Sequence, residues 1–124
     1  MTPESLVATR ETCMWLKEKG FTQDTHFCWA EPYRYQTDRT AVVYPRFLGG
    51  QHAGSPPREY CAAPTLAEVL EQLRKGWNRA DVETWNSEMG PYCCVSVDDL
   101  ARTVEVRGSN PAEAAALLWE KVNL

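Results

Sequence analysis

The chain has 124 residues, 44% of them hydrophobic and 24% charged, and thirteen Lys and Arg stand against seventeen Asp and Glu for a formal net charge of −4. These values sit near globular averages, exclude the disordered and membrane compositional classes, and suit a single domain spanning 1–124. Because the cations are interspersed with acids rather than gathered in a stripe, neither nucleic-acid phosphates nor an anionic membrane is an expected partner.

Thr2-Pro3-Glu4 supplies a cap, a proline for the first helical position and an early acid, and Gly20 follows Lys17-Glu18-Lys19. The pattern predicts a first helix over 3–19, with a buried stripe through Leu6, Thr9, Cys13 and Leu16 and with Val7 and Met14 on its flank. The same opening lacks the basic and apolar regions of a secretory leader, and no apolar run approaches the roughly 18 to 20 residues that span a bilayer, so the expected location is the cytoplasm. Thr25 to Ala30 alternates as a strand, with Thr25, Phe27 and Trp29 on one face and His26, Cys28 and Ala30 on the other. A second strand is expected near 39–46, and the intervening 31–38 is open between a plain connection and a short extra strand. Leu48 to Pro57 holds three glycines and two prolines and reads as a loop.

Thr65-Leu66-Ala67-Glu68 is a capping box, followed by Leu66, Val69, Leu70 and Leu73 at helical spacing and closed by Lys75-Gly76. The stretch 77–90 reads as a loop carrying a short strand near 83–87. Tyr92 to Val97 and Arg102 to Val106, separated by Asp98-Asp99-Leu100-Ala101, predict a hairpin. Asn110-Pro111-Ala112-Glu113 opens a third helix with Ala114, Leu117, Leu118 and Val122 on its apolar side. The expected fold is therefore α+β, a single antiparallel sheet of four to five strands with three helices packed on it, in the order α-β-β-α-β-β-α.

The run from Tyr60 to Leu70, containing Ala63-Pro64-Thr65-Leu66-Ala67-Glu68-Val69-Leu70, and the run from Asn110 to Trp119 resemble segments of a group of short, mostly uncharacterised bacteriophage and prophage proteins, as does Trp15 to Phe21. The likeness covers the three helices, about a third of the chain, and implies a phage or prophage origin. It implies no reaction.

Candidate chemistry is sparse. Cys13, Cys28, Cys61, Cys93 and Cys94 are odd in number and lack disulfide-framework spacing, which predicts free, mostly buried thiols; at most one of the adjacent Cys93 and Cys94 can face the core. No pair of C-x₂-C motifs is present to hold zinc around His26 and Cys28, and no cofactor or metal is expected. Gly49 to Ser55 lacks the Lys-Ser/Thr end of a phosphate loop. Asp81 with Glu83, and Asp98 with Asp99, are expected as turn or surface acids. By contrast, planar aromatics interleaved with arginines are what pockets for flat ligands and interface hot spots use. Trp29, Tyr33, Arg34, Tyr35, Arg39, Tyr44, Arg46 and Arg58 are accordingly the candidate ligand- or partner-binding residues, with core filling as the competing role of the aromatics.

The leading expectation is a non-catalytic binding protein that captures a partner stoichiometrically, either a host defence protein or a nucleotide-type immune signal, in the service of counter-defence. A sponge for a nucleotide calls for a deep pocket of aromatic and arginine side chains, usually completed in a homo-oligomer; a protein inhibitor calls for an exposed apolar or acidic patch. The alternatives are a small enzyme using His26 or His52 with a cysteine or carboxylate, and an accessory or structural phage protein.

Overall fold

Helix starts in this chain follow side-chain caps. In the structure, a computed structural model that describes residues 3–31, 42–45 and 58–123, the first helix begins later than its sequence suggests. Pro3–Leu6 forms a 3₁₀ turn, the backbone then extends, and α1 runs Arg10–Glu18 with Thr9 rather than Thr2 as its cap. The reason is tertiary: Val7 makes an antiparallel bridge to Thr65, and Val7 and Ala8 are both buried. A bridge needs extended backbone, so a helix running through from Pro3 would forfeit it. Thr12, Cys13 and Leu16 form the buried face of α1, whereas Leu6 and Met14 are exposed.

The second helix, α2 (Leu66–Gly76), carries the anticipated capping box: Thr65 Oγ1 accepts from the Glu68 amide at 3.4 Å while Glu68 Oε1 accepts from the Thr65 amide at 2.9 Å. Val69, Leu70 and Leu73 are buried. The third, α3 (Pro111–Val122), starts on Asn110, whose Oδ1 accepts from the amides of Ala112 and Glu113 at 2.9 and 3.3 Å. Ala112, Ala114, Ala115, Ala116 and Leu118 are all buried, which no one-sided surface helix achieves. α3 is a central element that touches α1, α2 and two strands of the second sheet, and its small alanines let these neighbours approach closely.

The strands form two sheets. The first has β1 (Phe27–Glu31) between β2 (Val42–Pro45) and β3 (Arg58–Ala63), and the second has the order β4 (Arg79–Ser87), β5 (Gly90–Asp98), β6 (Thr103–Gly108); all neighbours are antiparallel. This corrects the expected single sheet of four to five strands. Two elements escaped the pattern. Arg58–Ala63 has few β-favouring side chains and follows a glycine- and proline-rich stretch, yet it pairs with β1 across a register shift at Trp29 and Ala30. Arg79–Ser87 looks polar because only Ala80 and Val82 turn inward, and it continues into β5 through a tight turn in which Gly90 takes φ +108°. The expected loop at 77–90 is therefore mostly strand.

Ala80, Cys93, Val95 and Val97 on the inner face of the second sheet are buried, with Val82, Val104 and Val106 packed alongside. Helices α2 and α3 cover this face and α1 packs on β3 and α3, so the core lies around α3 between the sheets. Of the stretch 31–38, left open between a connection and a short strand, Glu31 ends β1 and the remainder lies outside the described residues, as does the loop expected at 48–57.

Candidate functional site

Few of the residues singled out from sequence can be placed. Tyr33, Arg34, Tyr35, Arg39 and Arg46 lie outside the described residues. Tyr44 and Arg58 are placed by backbone alone, Tyr44 in β2 opposite Cys28 and Arg58 in β3 opposite Glu31. Trp29 is half-buried, packs against the core, and donates its indole N–H to the Ala8 carbonyl at 3.1 Å.

The histidine and carboxylate candidates have structural surroundings. The His26 ring meets Phe27 edge-on at 4.8 Å, and its backbone amide donates to Glu68 Oε2 at 2.9 Å, so one carboxylate both caps α2 and holds the start of β1. His52 lies outside the described residues. Asp81 pairs with Arg79. Asp99 accepts from the amides of Ala101 and Arg102 at 2.8 and 3.0 Å, and these bonds hold its carboxyl below the usual range, as suits a turn residue. Among the described residues, no three His, Cys, Asp or Glu side chains gather as a metal site.

The cysteines are free thiols. Cys13, Cys28, Cys61 and Cys93 are buried and Cys94 is half-exposed, so the adjacent pair does divide between the faces of β5. Burial, and then the proximity of Cys61, push the Cys13 thiol up to about 12, out of the range of a nucleophile at neutral pH. Cys94 Sγ donates to Glu105 Oε2 at 3.4 Å, and desolvation followed by that carboxylate raises its pKa as well.

The five tryptophans separate sharply by what their rings touch. Trp29 is hydrogen-bonded to Ala8. Trp119 meets Phe21 in a T-shaped pair at 5.0 Å. Trp77 lies beneath the Arg102 guanidinium at 5.0 Å. Trp85 tilts against Tyr92, its cross-strand partner, at 5.3 Å. Trp15 has no such engagement among the described residues: it stands 54% exposed on the outer side of α1, with no ring partner and no bond to its indole N–H.

Trp15 borders a groove of about 510 Å³ lined by Arg10, Glu11, Met14, Glu18 and Tyr60. The helical residues recur at spacings of one, three, one and three, which sets them along the side of α1 turned away from Thr12, Cys13 and Leu16. β3 supplies the opposite wall, held to the helix by Lys17 Nζ, which donates to the Tyr60 carbonyl at 2.8 Å. Among the described residues the lining combines a tryptophan, an adaptable methionine and a tyrosine with one arginine and two glutamates. Such a groove can grip an apolar side chain and orient its flanks by charge.

The sequence did contain a sign of this site. Glu11 and Glu18 stand four residues before and three residues after Trp15, which places the indole on the charged, outward side of any helix through this segment. Selecting aromatics in strands and loops passed it over.

No helix among the described residues is long and apolar enough to cross a membrane. No family model, no curated protein and no solved structure matches the chain, so the meaning of the groove rests on its own geometry.

Proposed function

We propose that this chain is a non-catalytic binding protein that captures a protein partner through the groove between α1 and β3. The observation that carries the reading is Trp15, the one tryptophan among the described residues whose ring meets no other ring, no cation and no indole hydrogen-bond acceptor, standing at a groove with Met14 and Tyr60. Tryptophan is the residue most enriched among interface hot spots, and an exposed indole beside a methionine costs solubility unless something covers it.

The rim selects the class of partner. Among the described residues two glutamates face the groove beside one arginine, with Lys17 tied to its wall, so no cluster of cations awaits a phosphate, whereas a peptide segment with an apolar anchor and basic flanks would find Glu11 and Glu18 to pair with. The resemblance of the helical segments to phage and prophage proteins supports a counter-defence setting, in which the partner is a host defence protein held in stoichiometric complex.

The test is native mass spectrometry of the tagged chain recovered from infected bacterial cells, beside the Trp15→Ala variant. A protein mass in fixed ratio, absent from the variant, is the expected result. Trp15 is 54% exposed on the outer side of α1, so the variant should lose no more than about 1 kcal/mol of folding stability. A bare chain, a nucleotide-sized adduct, or a protein partner retained by Trp15→Ala would each sink the reading.

A further inference from the structure

The second sheet ends in two edges that are treated differently. On β4 the Ala80 carbonyl is taken by the Arg74 guanidinium at 3.2 Å, and Arg79 and Asp81 pair over the same end of the strand. On β6 the strand pairs with β5 in unbroken register from Thr103 to Gly108, and among the described residues no strand covers its other side. No side chain among them bonds to the backbone of Val104, Glu105, Val106 or Arg107 either. The strand contains no proline, no bulge and no inward charge, the usual means of blunting an edge. Its inward residues, Val104 and Val106, are only half-buried, whereas their neighbours Val95 and Val97 on β5 are fully buried.

We infer that β6 is a homodimer interface, pairing antiparallel with β6 of a second copy about a two-fold axis at Val106 to make one six-stranded sheet. The register follows from charge. Glu105 and Arg107 share the outer face of the strand and are now linked to each other at 3.3 Å. An axis at Glu105 sets carboxylate against carboxylate, one at Arg107 sets guanidinium against guanidinium, and one at Val104 leaves Glu105 facing Thr103. An axis at Val106 alone places Glu105 of each copy opposite Arg107 of the other, with Val106 against Val106 and Val104 against Gly108 beneath them. Opposite charges directly across an antiparallel pair are favourable and like charges unfavourable, so this self-pairing is selected over its neighbours. The half-buried valines are covered in the same step, and the free edge amides and carbonyls gain partners.

Sedimentation velocity over a dilution series tests it, with circular dichroism confirming that each variant is folded. The parent chain should show a monomer–dimer equilibrium. Glu105→Arg and Arg107→Glu should each weaken it roughly tenfold or more, because both cross-strand pairs become repulsive. Mixing the two variants should restore dimer, since each then meets its opposite charge, a recovery that no effect within one chain can produce. A parent that stays monomeric throughout, a dimer indifferent to either reversal, or a mixture no more associated than its components would overturn the proposal. The groove at Trp15 is not involved, so either result leaves the reading of that site standing.

Discussion

The two faces of α1 have opposite fates. Inward, Thr12, Cys13 and Leu16 are buried, and Thr12 and its cap Thr9 are gripped by a carboxylate from the other end of the chain. Outward, Met14 and Trp15 remain 39% and 54% exposed. The helix is short, nine residues, and too short to persist alone in water, so its inner contacts hold it in place and leave its outer side chains free for other use. Rigid support behind an unspent aromatic is the arrangement that lets an anchor bind without first being ordered.

Removing Leu16 attacks the support most directly. Leu16 is among the largest fully buried side chains, and Leu16→Ala should cost about 2–5 kcal/mol, read as a lowered midpoint in urea denaturation. If the faces are as distinct as described, Met14→Ala costs no more than about 1 kcal/mol by the same denaturation. Equal losses from the two would erase the contrast between them.

Glu113 offers a finer cut. Its carboxylate accepts from the Thr9 amide at 2.8 Å and from the Thr12 hydroxyl at 2.7 Å, while Asn110 Nδ2 donates to the Val7 carbonyl at 3.3 Å. The start of α3 is thereby fastened to the start of α1 across more than a hundred residues. Glu113→Ala leaves the part-buried Thr12 hydroxyl and the amide of the cap residue Thr9 without their acceptor, a loss of about 1–3 kcal/mol by the same denaturation. Binding through Trp15 should weaken in step, because the helix that presents the indole is no longer fixed. Intact binding in a destabilised Glu113→Ala chain would show that the groove does not depend on this fastening.

The caps of α2 and α3 illustrate what was legible in the sequence and what was not. Thr65 with Glu68, and Asn110 with Glu113, are local patterns, and local patterns fix where α2 and α3 begin. The long-range bonds of both glutamate side chains, Glu68 to the His26 amide beside its capping role and Glu113 to Thr9 and Thr12, span 42 to 104 residues and leave no trace in spacing. The false start at Thr2 has the same origin, because the Val7–Thr65 bridge that ends the 3₁₀ turn is non-local. The β5–β6 hairpin was legible because its valines alternate cleanly. β3 was not, because a strand that is paired by its backbone and packed by Cys61, Ala62 and Ala63 need not contain β-branched residues. The site fared worst, since an exposed tryptophan on a helix differs from a buried one only in which neighbours come to meet it.

The cysteines extend the contrast of inside and outside from α1 to β5, with the smallest expected effect. Cys94, half-exposed on the outer face, should be the first of the five to react with a soluble disulfide reagent, ahead of its buried neighbour Cys93. Its raised pKa means that this reaction keeps accelerating with pH beyond the ordinary thiol range. Cys13 should stay silent in the folded chain, because its thiol is buried and titrates only near 12. The sign of the coupling follows: a folded-state pKa above the unfolded value means that the native chain keeps a proton the unfolded chain releases. The stabilisation is therefore complete below about pH 9 and is lost between there and pH 12, at up to about 1.4 kcal/mol per pH unit. Measured as the difference between the parent and Cys13→Ala, which removes this one group while other alkaline titrations cancel, the parent's advantage should shrink over that interval. A constant difference would mean that Cys13 ionises in place, and that the inner face of α1 is wetter than its packing allows.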